Sequence, residues 1–129
     1  MREILFRGKS TDTGAWVYGY YCGPFGGFDE HEICDIADPT CGRVDVDPET
    51  VGQYTGLTDT NGKRIYEGDI VTFKTSVCTF KPCVVEYSNA EARFVARIGD
   101  RRYAMTDSFV YEIIGNIHDN PELIGGKEE

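Results

Sequence analysis

The chain has 129 residues, 40% of them hydrophobic and 12% aromatic. That is enough apolar material to bury about two thirds of the surface an unfolded chain exposes, in one core or two small ones, which excludes disorder throughout. Thirteen Lys and Arg against 22 Asp and Glu leave a net charge of -9, so the chain as a whole repels phosphate backbones and anionic lipid, and general coating of nucleic acid is excluded. Fifteen Gly, 8 Tyr and 7 Phe with only 2 Met predict a β-rich chain with many turns rather than a helical bundle.

From the N-terminus, Glu3 to Arg7 is a short apolar run, Ser10-Thr11-Asp12-Thr13-Gly14 is a cluster of turn formers, and Trp16-Val17-Tyr18-Gly19-Tyr20-Tyr21 is aromatic and β-branched. Strand, turn and strand are predicted. Alternation puts Tyr18 and Tyr20 on one face of their strand and Val17 and Gly19 on the other. The opening residues carry charges too closely spaced for a signal peptide, and no apolar window reaches about 18 residues, so a cytoplasmic location without membrane insertion is expected. Gly23-Pro24-Phe25-Gly26-Gly27 interrupts regular structure and begins a loop that carries Phe25 and Phe28. Short strands are predicted at Glu32 to Ile36 and Arg43 to Val46, with Asp38-Pro39-Thr40-Cys41-Gly42 as the turn between them.

Asp47-Pro48-Glu49-Thr50 offers a capping Asp and a Pro at the first helical position, which predicts one turn of helix. The Asn61-Gly62 pair marks a hairpin turn before the run Arg64 to Phe73. Further strands follow at Cys83 to Tyr87, Arg93 to Ile98 and Phe109 to Ile117, with Ser88-Asn89 and Gly99-Asp100 as turns. Strands at this spacing predict a small curled barrel of the SH3 type. Asn120-Pro121-Glu122-Leu123 is expected to start a closing helical turn. The predicted organisation is all-β: an N-terminal hairpin subdomain with an acidic loop over residues 1–52, a barrel over 53–124, and a tail over 125–129.

Charge is uneven along the chain. Asp29 to Glu49 holds eight acids against Arg43, a local -7; Lys63 to Arg102 holds eight bases against five acids, a local +3; Tyr103 to Glu129 holds six acids against Lys127, a local -5. The usual role of such runs is to face water.

Each arrangement that suggests chemistry has a plainer explanation. His31, Cys34 and Cys41, with Cys22 upstream, are soft ligand types, but no CxxC pair is present, so no metal is assigned. Five cysteines without close pairs, Cys78 and Cys83 included, are expected to be reduced thiols. Gly52, Gly56, Gly62 and Gly68 near Thr55 and Lys63 fail as a phosphate loop, because Lys63 is followed by Arg64 and a strand rather than by a helix N-terminus. The glycines serve turns and close backbone approach. Glu67 and Asp69 would be paired carboxylates for acid-base work, but Asp in a Gly-Asp corner normally caps the turn. No Ser-His-acid or Cys-His set is supported by spacing, so neither catalysis nor a cofactor is expected.

The motifs Ile4-Leu5-Phe6-Arg7-Gly8-Lys9, Trp16-Val17-Tyr18-Gly19-Tyr20, Thr50 to Leu57, Asp59 to Val71 and Ile114 to Leu123, in that order, resemble the YopX family of phage and prophage proteins from end to end. The resemblance implies a C-terminal SH3-type barrel and a gene carried by a bacterial phage or prophage, and it implies no activity or site residue. Departures fall in the Cys78 to Cys83 segment, the acidic loop from Asp29 to Asp45 and the Ala90 to Tyr103 strands, and His118 stands where an aromatic Tyr is common in the family.

Aromatic residues are in surplus for so small a core, so part of them must pack between subdomains, against another copy or on a partner. The expected function is therefore a non-catalytic protein-interaction module. The candidate surface is Trp16, Tyr18, Tyr20, Tyr54, Tyr66, Arg101 and Arg102, and the partner is a second copy or a bacterial host protein. Self-association is favoured over a monomer with a sticky N-terminal surface. Two alternatives are an acidic DNA mimic built on the -7 stretch and acting on a host nucleic-acid-binding protein, and weak nucleic-acid binding by the barrel through Arg93, Arg97, Arg101 and Arg102.

Overall fold

The computed structural model describes residues 3–23, 30–38, 40, 42–74, 77 and 81–124. The Phe25 to Phe28 loop, Pro39, Cys41, Cys78 and the tail at 125–129 lie outside the described residues. Strands predominate, and among the described residues helix is confined to two short 3₁₀ turns at Pro48–Thr50 and Pro121–Ile124. No described helix is long and apolar enough to cross a membrane. The chain divides into two compact units, Met1–Tyr54 and Thr55–Glu129.

The first unit contains β1 (Phe6–Lys9), β2 (Trp16–Cys22), β3 (Glu32–Asp35) and β4 (Arg43–Asp45), and the start of β5 (Gly52–Thr58). All pairings are antiparallel, in the order β4-β3-β2-β1-β5. The β1–β2 turn forms because Ser10 Oγ accepts the Asp12 and Thr13 amides at 3.2 Å each, while Gly14 takes φ +75, a conformation that costs glycine little. Asp47 caps the 3₁₀ turn by accepting the Glu49 amide at 3.0 Å, with Pro48 at its start. Thr50 fastens that turn to β1, donating to the Asp47 carbonyl at 2.6 Å and accepting the Lys9 amide at 2.8 Å. One face of the sheet packs Val17, Ile33 and Val46 with Phe6, Tyr21, Val44 and Val51.

The second unit contains β6 (Arg64–Tyr66), which neighbours β5, then β7 (Asp69–Lys74), β8 (Cys83–Ser88), β9 (Arg93–Ile98), β10 (Arg101–Ala104) and β11 (Val110–Asn116). The last five form an antiparallel sheet in the order β10-β9-β8-β7-β11. It is a meander whose final strand returns beside its first. The pairings of the described residues leave this sheet open at β10 and β11, so they do not close a barrel. Ile65, Val71, Phe73, Cys83, Val85, Ala96 and Tyr111 form the core, flanked by Leu57, Ile98, Tyr103, Met105, Phe109 and Ile113. Phe73 meets the rings of Tyr103, Phe109 and Tyr111 at 5.5 to 6.0 Å, within the range of favourable aromatic pairs.

Two strands, β5 and β10, stand where no separate strand is predicted from the sequence. β5 runs through the boundary expected near residue 52, because a Gly-rich segment of weak propensity gains a ladder by pairing with β1. β10, half arginine, exists because the Gly99–Asp100 turn folds it back on β9.

Candidate functional site

β2 is the element with the clearest division of labour. Val17 and Gly19 are buried, while Tyr18 is 39% and Tyr20 55% exposed. Gly19 is required by the approach of β3, since a Cβ built there would lie 1.8 Å from the Cys34 carbonyl oxygen. On the Tyr18 face, β1 pairs Arg7 with Tyr18 and Lys9 with Trp16. The Arg7 guanidinium lies over the Trp16 ring at 4.5 Å and the Lys9 ammonium at 5.5 Å. Two cations against one indole fix Trp16 in place, so Trp16, Tyr18 and Tyr20 form a row along one strand whose first member is clamped and whose next two reach solvent. Arg7 and Lys9 were not read as part of this surface from the sequence. Their alternation on β1, opposite the aromatic alternation on β2, is the signal that would have found them.

Tyr54 and Tyr66 do not belong to that surface. They are only 9% and 3% exposed, because β5 and β6 turn them inward. Arg101 and Arg102 are exposed on β10, in the other unit. Arg102 Nε donates to Glu86 at 3.3 Å and Arg97 Nε to the other oxygen of the same carboxylate at 2.7 Å. Arg93 is paired with Glu91. Three of the four arginines read as a basic edge are thus partly neutralised.

Of the soft-ligand residues, His31, Cys34 and Cys22 lie among the described residues. The Tyr21 hydroxyl is hydrogen-bonded to His31 Nδ1 and the two rings stack at 5.8 Å. Cys34 is disulfide-bonded, whereas Cys22 and Cys83 are free thiols. The expectation of uniformly reduced cysteines is corrected by Cys34: an odd count without close pairs does not exclude a bond between two of the five. Cysteine count is therefore no guide to the compartment. What β3, β4 and the residues just before β3 do assemble is a carboxylate cluster, Glu30, Glu32 and Asp45, with oxygens within 4.8 Å of one another. Arg43 stands 3.7 Å from Glu32. The register sets Glu32 opposite Asp45, which concentrates negative potential at that end of the sheet.

Two carboxylates of the second unit, Asp69 and Asp59, are structural. Asp69, 2% exposed, accepts the Tyr66 amide at 2.8 Å, as expected of a turn cap. Asp59 accepts the Asn61, Lys63 and Ile113 amides at 2.8, 2.9 and 3.3 Å. Burial works against its ionisation, but the Lys63, Ile113 and Asn61 amides and the Lys63 charge outweigh burial and hold the carboxyl below its usual 3.8. Burial pushes the Cys83 thiol up to about 11, and that thiol donates to the Lys81 carbonyl at 3.0 Å. The Tyr111 hydroxyl, also raised by burial, accepts the Thr106 amide at 3.0 Å.

A family model described as YopX protein matches residues 5–125. None of the curated proteins compared with the chain matches it. Among solved structures, the chain is similar to protein EF1440 from Enterococcus faecalis, at 24% identity over 96% of this chain and 99% of that one, with a TM-score of 0.53. At that identity the likeness speaks for the fold alone.

Proposed function

The chain belongs to the YopX protein family, and on that premise we propose that it is a non-catalytic accessory protein of a phage or prophage, acting in the cytoplasm of the bacterial host by binding protein. The observation that carries this reading is the row on β2, with two cations set against the Trp16 ring and Tyr18 and Tyr20 exposed beside it. Tyrosine and tryptophan supply large contact area at low entropic cost and are enriched where proteins meet. The partner class is a second copy of the chain or a host protein. On the same reading residues 53–124 form an SH3-type barrel, supported by a five-strand meander whose last strand returns to its first, and residues 1–52 form the subdomain that presents the aromatic row.

The test is a comparison of the full chain with a Tyr18→Ala/Tyr20→Ala variant. Light scattering across a hundredfold dilution reads self-association, and affinity capture from host lysate reads a host partner. The double variant should lose whichever association the parent shows. Retention of every association by the variant would reject the aromatic row as the binding surface.

A second reading has its own observation. The Glu30, Glu32 and Asp45 cluster supports an acidic mimic of DNA aimed at a host nucleic-acid-binding protein. A Glu30→Gln/Glu32→Gln/Asp45→Asn variant should then release a captured host protein that the tyrosine variant keeps.

A further inference from the structure

The Gly99–Asp100 turn, with Gly99 at φ +58, sets Arg101 opposite Ile98, Arg102 opposite Arg97, Tyr103 opposite Ala96 and Ala104 opposite Val95. The Met105 amide donates to the Phe94 carbonyl at 3.3 Å, which fixes the phase of the ladder. In an antiparallel pair, alternate residues face the partner strand. Arg101, Tyr103 and Met105 therefore turn their backbone groups to β9, and Arg102 and Ala104 turn theirs outward. β10 ends its sheet, so among the described residues no strand meets those two outward amides and carbonyls.

The side chains beside this edge are incompletely neutralised. Arg97 and Arg102 share the single Glu86 carboxylate, each through Nε. Arg101 is exposed and has no ion pair among the described residues. Three guanidiniums thus stand against the carboxylates of Glu86 and of Asp100 in the turn. Charged edge strands ordinarily protect a sheet from pairing with its like, and here a second copy would bring its own Arg101 and Arg102 to the same edge. The charge that repels a copy attracts a strand of opposite sign.

We propose that the outer edge of β10 accepts an extended acidic peptide as an added strand, with Arg102 and Ala104 supplying the backbone hydrogen bonds and Arg101 and Arg102 selecting Asp and Glu in the occupant. Strand addition of this kind draws affinity from the main chain and specificity from alternate side chains. Nucleic acid offers no alternating amide and carbonyl to complete the ladder.

The experiment titrates the blocked peptide acetyl-TEVEVEVT-amide into the isotopically labelled full chain, with acetyl-TKVKVKVT-amide and a single-stranded oligothymidylate as comparison probes. The acidic peptide should shift the Arg102 and Ala104 amide signals and slow their hydrogen exchange about tenfold or more, while the basic peptide leaves both unchanged. Ala104→Pro removes one outward donor and leaves the ladder to β9 intact, so it should weaken binding about tenfold, with circular dichroism confirming the fold. Arg102→Gln, which leaves the backbone unaltered, should weaken binding and flatten its salt dependence. Unchanged exchange at both amides, full binding by folded Ala104→Pro, or tighter binding of the oligothymidylate to the same residues would each overturn the proposal.

Discussion

Asp59 Oδ2 accepts the backbone amide of Ile113 at 3.3 Å, joining residues 54 apart in sequence. The same carboxylate holds its own turn through the Asn61 and Lys63 amides, and the Thr60 amide donates to the Tyr111 carbonyl at 2.9 Å. One buried side chain therefore shapes the Asn61-Gly62 turn and ties it to β11.

Asp59→Ala leaves three amides without their acceptor and should lower stability by about 2 to 3 kcal/mol, while Asp59→Asn, which keeps one acceptor oxygen, should cost less. Because the folded carboxyl titrates below its usual 3.8, its contribution is present above the unfolded value and is lost as pH falls through the folded one. Denaturant midpoints measured from pH 7 down to pH 2 should show a loss below about pH 4 that is smaller in Asp59→Asn. Equal pH profiles for parent and variant would contradict the role given to this carboxylate.

Cys83 is fully buried, and with its thiol pushed up to about 11 only about one molecule in a thousand carries the thiolate at pH 8. Maleimide should therefore modify Cys22, a free and partly exposed thiol, well before Cys83, and Cys83 should react only on unfolding. Peptide mapping after brief labelling decides the order. The raised value also means that the stabilisation is present below the thiol's unfolded value near 9 and fades as pH rises toward 11.

Gly19→Ala should disrupt the first unit, because the new Cβ meets the carbonyl of Cys34 at 1.8 Å and neither backbone can yield without loss of the β2–β3 ladder. Gly56→Ala faces open space at φ +93 and should cost only about 1 kcal/mol of backbone strain. Thermal unfolding of the two variants side by side tests the contrast, which would vanish if β3 did not approach β2 at Gly19.

Tyr18→Ala/Tyr20→Ala removes two exposed rings and should leave stability within about 1 kcal/mol of the parent. A larger drop in unfolding midpoint would assign the two rings to the fold instead of to a partner.

That Tyr18 and Tyr20 share one face, opposite Val17 and Gly19, was legible in the sequence because a period of two needs no tertiary information. Burial of Tyr54 and Tyr66 was not, since alternation says which residues share a face and not which face is covered. The caps at Asp47 and Asp69 could be read from Pro48 and Gly68 beside them, as local chemistry. The reach of Asp59 to Ile113 could not, because nothing near Asn61-Gly62 encodes the strand that arrives 50 residues later. β10 was obscured by Arg101 and Arg102, whose propensities do not announce a strand; the hairpin turn before them sets the pairing.

The meander order β10-β9-β8-β7-β11 has a consequence during synthesis on the ribosome. Every partner of β1 through β4 has been translated once β5 emerges, so the first unit is free to acquire its native pairing early. β7 waits on one side for β11, some forty residues behind it, and Asp59 waits longer still for the Ile113 amide. The nascent second unit therefore carries an open, largely apolar strand through most of its own translation. Its vulnerable interval is set by the arrival of β11 and not by the formation of the four hairpin-linked strands that precede it.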